Sequence, residues 1–183
     1  MKARHLIVGI GCTAGAGKDT AFKCFQAAGL PVIRASSGDI LRRGLEPLLR
    51  PHGIDVWSED REIKDMIRPL VVAYAELLKA KHGKLYLFTS ALETALAKVE
   101  PGSIIVFTDV RFPFEVDELN RLGGAYIHIK TNLPPINDLE RACEPVMAKM
   151  TSYEVENDFT TSFKARMLEM IQTVIGHFKS GGA

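Results

Sequence analysis

The run Gly11-Cys12-Thr13-Ala14-Gly15-Ala16-Gly17-Lys18-Asp19-Thr20 constrains this chain more than any other feature. Before it, Leu6 to Ile10 is a short apolar segment stopped by glycines, which reads as a buried strand. After it, a helix is predicted from near Lys18, carrying Phe22 and Phe25 towards Ala28, with Gly29 as its stop. A glycine-rich turn between a strand and a helix is the setting of a phosphate-binding loop. Small residues let backbone N–H groups wrap around phosphate oxygens, the helix start adds positive potential, and a lysine reaches the β and γ oxygens. Thr13, Ala14, Gly15, Ala16, Gly17, Lys18, Asp19 and Thr20 are therefore the expected nucleotide-binding residues. Two departures stand out: Cys12 occupies the place of the first glycine, and Asp19 the place of the Ser or Thr that would ligate magnesium. Cys12 fits such a turn only if its backbone stays at negative φ.

The remaining pattern alternates strand and helix. Strands are expected at Pro31 to Ala35, Ile104 to Phe107 and Ala125 to Ile129. Helices are expected at Asp39 to Arg50, opened by Ser36 or Ser37, and from Ser58 onward with Ile63, Ile67, Leu70, Tyr74 and Leu77 as one buried face and a kink at Pro69. Others follow at Tyr86 to Val99, from Pro113 to a stop at Gly123, and along Phe163 to Phe178. Residues Thr131 to Asp158 are polar and contain Pro134, Pro135 and Pro145, so an irregular, mobile segment is expected there. This order implies an α/β domain with a mostly parallel sheet, helices on both faces, and ligands at the carboxyl ends of the strands. A length of 183 residues fits a single domain.

Chemistry is then expected after the second apolar strand, at Thr108-Asp109-Val110-Arg111-Phe112-Pro113. A carboxylate there can orient magnesium and Arg111 can neutralise phosphate charge; the alternative is an Asp–Arg pair capping the next helix. Glu115 reads either as a surface acid favoured by the helix dipole or as a contact to Arg111. Arg61, Lys64 and Arg68 share one helix face, where they either gather on a monophosphate or form a solvated stripe. Lys130, Arg141 and Lys149 flank or occupy the irregular segment, as lid cations or as exposed loop charge. Trp57 reads as a hydrophobic staple for the helix starting at Ser58.

Gly17-Lys18-Asp19-Thr20 resembles the deoxynucleoside monophosphate kinases of the bacteriophage type, and more loosely the wider nucleoside monophosphate kinase group. Asp109 to Pro113, then Glu115, Leu119, Gly123-Gly124 and Tyr126 to Ile129 follow the same family's order, as do Ile67 to Leu70, Tyr74 and Tyr86 to Phe88. The resemblance implies a three-layer P-loop kinase fold with an acceptor-nucleotide region at about 36–100 and a small lid at about 131–152. It implies ATP and Mg2+, with Asp19 and Asp109 organising the metal and Thr20 on an inner phosphate. Lys18 and Arg111 would stabilise the transferring group. Arg34, Ser37, Asp39, Arg43, Lys64, Arg68 and Tyr86 would serve the acceptor.

Composition limits the partners. With 23 Lys and Arg against 22 Asp and Glu, no global field attracts nucleic acid or an anionic membrane, so anion binding must be local. The 3 cysteines lack the close pairing of a zinc site or redox dithiol, and the 5 histidines form no metal-ligand spacing. No stretch of about 18 apolar residues is present. The expected partners are small-molecule nucleotides, with no nucleic-acid polymer and no membrane; a homodimer is left open and the expected compartment is cytoplasmic, that of the host if the chain is viral. The expected reaction is ATP-dependent phosphorylation of a deoxynucleoside monophosphate. The alternatives are a kinase for another small acceptor, dephospho-coenzyme A or phosphomevalonate, and a regulatory module that binds nucleotide without transfer.

Overall fold

The computed structural model describes residues 5–135, 137–151 and 153–180. They form two compact units, one from the chain up to Ala35 together with the chain from Ala95 onward, the other Ser36–Thr94.

The first unit holds five strands: β1 (Leu6–Cys12), β2 (Val32–Ala35), β3 (Ile104–Val110), β4 (Ala125–Lys130) and β5 (Tyr153–Glu156). They lie in the order β2-β3-β1-β4-β5 and every pair is parallel. Alternation along the strands sends Val8, Ile10, Val106, Ile127 and Val155 to one face. There they pack on Ala21 and Phe25 of α1 (Lys18–Ala27) and on Phe163, Met167 and Ile171 of α7 (Ser162–Lys179). Ile7, Ile105, Phe107 and Tyr126 alternate to the other face, which α5 (Pro113–Arg121) and α6 (Asp138–Met150) cover with buried Val116, Leu119 and Met147. Gly9 permits the close approach of α5, because a Cβ there would overlap Leu119 and lie 2.9 Å from Val110 Cγ2. The result is a three-layer α/β fold with a fully parallel sheet.

The strand order puts a switch point between β1 and β3. From β1 the chain crosses to β2 on one side, whereas from β3 it crosses to β4 on the other, so the turns after these adjacent strands diverge. Register also changes here: Gly9 pairs with Phe107 but Gly11 pairs with Val110, which leaves one extra residue in β3 around Thr108 and Asp109. Such a bulge re-aims the side chains beside it. The strand therefore runs through Thr108 and Asp109 to Val110 instead of ending at Phe107.

The second unit contains α2 (Ser37–Leu49), a short 3-10 turn at Arg50–His52, α3 (Arg61–His82) and most of α4 (Tyr86–Leu96). Leu45, Leu49, Val56 and Ile67 form its buried cluster. Asp60, not Ser58, caps α3: its carboxylate accepts from Glu62 N at 2.8 Å, while Ser58 Oγ accepts from Asp60 N at 3.1 Å. Trp57 is thus too far upstream to act as a staple, and its indole instead donates to Glu46 at 3.2 Å. The helix runs through Pro69, and its expected buried face is only partly covered, with Ile67 buried but Leu70 37% and Leu77 62% exposed.

The largest departure from expectation lies at 131–158. Asn137 caps α6 by accepting from Glu140 N at 2.8 Å, the helix continues through Pro145, and β5 adds in parallel to β4. Proline and a narrow buried stripe conceal the helical period, and β5 buries only Val155. Among the described residues no helix is long and apolar enough to cross a membrane.

Candidate active site

The loop after β1 begins later than its pattern suggests. Cys12 is still extended and pairs with Ile129, so the place of the first glycine needs no special backbone. The tight turning falls to Gly15 at φ 83° and Gly17 at φ 99°, which a side chain would strain. Gly17 caps α1 without a side-chain bond, leaving first-turn N–H groups of Lys18, Asp19 and Thr20 directed at the loop. Lys18 is half-buried and, among the described residues, has no hydrogen-bond or ion-pair partner; Asp19 is exposed and Thr20 half-buried.

Asn157, just past β5, holds this loop from behind. Its side-chain amide donates to Ala16 O at 2.9 Å, and a Cβ on Gly17 would lie 2.6 Å from the same nitrogen. Asn157 is buried, and its carbonyl accepts from Phe159 N at 2.9 Å. Residue types alone do not assign that role, although a polar Asn157-Asp158 turn at the carboxyl end of a strand is its visible trace.

At the end of β3, Glu115 is not a surface acid but a contact to Arg111, made to its backbone. It is 6% exposed, and its carboxylate accepts from the backbone N–H of Arg111 at 2.8 Å and of Phe112 at 3.1 Å. Burial pushes its carboxyl up to about 7; the Asp109 charge adds to the rise, and the two N–H donors oppose it. Phe112 is the N-cap residue of α5. Arg34, exposed on β2, donates from Nε to Thr108 Oγ1 at 3.1 Å and lies 5.9 Å over the Phe22 ring.

On the other sheet face, a cavity of about 30 Å³ is lined by Thr13, Arg111, Tyr126, His128, Glu140 and Glu144, among others. The buried His128 bridges Tyr126 OH, 3.3 Å from Nδ1, and Glu144, 3.2 Å from Nε2. The Tyr126 ring lies against Gly11, where a Cβ would come within 2.6 Å of Cε2. Of the expected lid cations, Lys130 faces Glu154 at 3.8 Å, Arg141 pairs with Asp138 at 2.7 Å, and Lys149 is exposed in the last turn of α6.

In the second unit, Ser37 opens α2 and Ser36 Oγ accepts from Asp39 N at 3.2 Å. Asp39 pairs with Arg42 at 3.5 Å, whereas Arg43 is exposed. The α3 cations are held by carboxylates: Arg61 and Arg68 on Asp65 at 3.0 and 2.8 Å, Lys64 on Glu59 at 2.7 Å. The two arginines hold the Asp65 carboxyl below the usual carboxylate range. Tyr86 stacks on His82 with centroids 4.4 Å apart.

Among the described residues no three His, Cys, Asp or Glu side chains gather as a metal-ligand set. Mg2+ ordinarily takes one or two carboxylates, several waters and substrate phosphates, so Asp19 and Asp109 beside an amide-lined loop are a donor set of the right kind.

No protein-family model matches the chain, and no curated protein matches it in sequence. Among solved structures, dephospho-CoA kinase from Campylobacter jejuni superposes with a TM-score of 0.57 at 16% identity, covering 93% of this chain and 98% of that one. TT1252 from Thermus thermophilus gives 0.53 at 18% identity, covering 93% and 97%. At such identities the likeness establishes the fold: this chain has the α/β architecture of the P-loop kinases.

Proposed function

We propose that this chain is a P-loop kinase that transfers the γ-phosphoryl group of ATP to a phosphate oxygen of a deoxynucleoside monophosphate. One observation carries the reading: the Lys18 loop and the bulged end of β3, with Asp109 and Arg111, leave adjacent strands at one edge of the sheet, Gly11 being paired with Val110. In the reaction the bond between the γ phosphorus and the β–γ bridging oxygen breaks, a bond to the acceptor oxygen forms, and ADP leaves with the bridging oxygen's charge. Charge spreads over phosphoryl oxygens, so positioning and electrostatics suffice without a strong base.

Each residue then has a role. Backbone N–H groups from Thr13 to Thr20 hold the phosphates, Lys18 follows the β and γ oxygens, and Arg111 stabilises the transferring group. Asp19 and Asp109 would hold magnesium, which supplies charge neutralisation across the phosphates. Glu115 fixes the Arg111 and Phe112 backbone behind them. On the acceptor side Arg68 takes the monophosphate, with Arg34, Ser37, Asp39, Arg43, Lys64 and Tyr86 completing recognition. The exposed pairs that hold Arg68 and Lys64 are screened by water, so an incoming phosphate exchanges them at little cost. Lys130, Arg141 and Lys149 provide lid charge.

The deoxynucleotide acceptor is supported by the sequence resemblance at residues 17–20 and 109–113. A second reading, dephospho-CoA as acceptor, is favoured by the likeness to the Campylobacter jejuni enzyme. Coupled ADP release with Mg-ATP and each acceptor in turn separates them: a deoxynucleoside monophosphate should accelerate turnover above the ATP-only background. Acceleration by dephospho-CoA alone would transfer the assignment to the second reading.

A further inference from the structure

The face of α6 that covers the sheet carries acids at the point where a nucleotide's anions are expected. Glu140, Cys143, Glu144 and Met147 recur at three- and four-residue spacing and all line the cavity behind the phosphate loop. Glu144 anchors the helix through the buried His128, at 3.2 Å. One turn earlier, Glu140 Oε2 lies 3.5 Å from Ala14 N, a backbone donor of the loop itself, 126 residues away in sequence. Arg141, the cation expected over the loop, is 68% exposed at its side chain and paired with Asp138.

A second observation points to a ligand at this part of the loop. Thr13 is 5% exposed and lines the same cavity, yet its Oγ1 has no hydrogen-bond partner among the described residues. A buried hydroxyl without a partner is destabilising, and a ligand or water in the cavity would supply one. Leu133, from the segment leading into α6, reaches the tip of the loop, 3.3 Å from where a Cβ on Gly15 would stand. The loop thus meets Leu133 at its tip and the Glu140 carboxylate at Ala14 N.

We propose that Glu140 is an internal anion that competes with nucleotide phosphate for the backbone of the phosphate loop. A carboxylate near a helix amino end is favoured for the same reason a phosphate is, by N–H donors and the helix dipole. Phosphate carries more charge and more acceptor oxygens, so nucleotide displaces Glu140, whose side chain turns away from Ala14 as phosphate enters. Glu140 therefore weakens nucleotide binding while neutralising the loop between binding events. Its partner Glu144 stays on His128, so the far part of α6 need not leave the sheet. The inference rests on the phosphate-binding reading of residues 11–20 and is independent of which acceptor is phosphorylated.

The test is calorimetric titration of the full chain with ADP and, separately, with inorganic pyrophosphate, for wild type, Glu140→Gln, Glu140→Ala and Lys18→Ala. Removing one anion from a helix amino end should lower both dissociation constants by about three- to tenfold in the two Glu140 variants. Asn137 still caps α6 through the Glu140 backbone N–H, so folding is expected to survive, and thermal unfolding of each variant checks it. Unchanged or weaker binding of pyrophosphate in a folded Glu140→Gln protein overturns the proposal. Loss of binding in Lys18→Ala alone supports the loop reading separately. If no protein binds either probe, the loop reading fails and the Glu140 proposal with it.

Discussion

Glu115 offers a test that needs no substrate. Its carboxyl titrates near 7 instead of at its ordinary 4.5, because burial disfavours the charge and Asp109 adds repulsion that the Arg111 and Phe112 N–H groups only partly offset. At about 1.4 kcal/mol for each pH unit, that difference sets an upper bound of about 3 kcal/mol on the cost of ionising Glu115 in the folded protein. The sign follows from proton counting. Between pH 4.5 and about 7 the native state binds more protons at this site than the unfolded chain. Stability from this group is fully present below 4.5 and is lost as pH rises through about 7. Glu115→Gln removes the titration while its amide oxygen can still accept from the two backbone N–H groups. Urea unfolding of both proteins from pH 5 to pH 8 should show the variant gaining on the wild type as pH rises, by up to about 3 kcal/mol. Other titrating groups are common to both proteins and cancel in the difference. A stability difference that stays flat across that range would refute the argument.

Further outcomes are expected at the loop. Lys18→Ala should lower turnover at least about tenfold with unfolding temperature unchanged, as steady-state rates and calorimetry would report. Asn157→Ala leaves the Ala16 carbonyl without its donor and should cost about 1–3 kcal/mol by urea unfolding, with weaker ADP binding. Gly11→Ala should destabilise by about 1–3 kcal/mol because the new methyl meets the Tyr126 ring, and Tyr126→Ala should relieve most of that in the double variant.

These residues also mark how far the sequence could be read. The β1 loop was legible because glycines, a lysine and the change from strand to helix pattern coincide within a few residues. The Asp109 to Pro113 turn was legible because an apolar strand ends in charge just before a proline at the start of α5. Asn157 and Glu140 were not, since their partners Ala16 and Ala14 lie 141 and 126 residues away and meet them only once β5 and α6 fold back across the sheet. The α6 helix itself was hidden by Pro145 and by a face that sets half-buried acids and a cysteine beside the buried Met147. Glu115 was visible as an acid in a first helical turn, but its burial was not. The partly exposed face of α3 has the opposite lesson: apolar spacing alone overstated its burial.

The central claim is that this fold moves a phosphoryl group onto a deoxynucleoside monophosphate. Incubation with ATP labelled in its γ-phosphate, followed by separation of the nucleotides, tests it directly. The account predicts label in a deoxynucleoside diphosphate, formed by the wild type and strongly reduced in Lys18→Ala. Label that stays in ATP or appears only as free phosphate, with every deoxynucleoside monophosphate supplied, contradicts it.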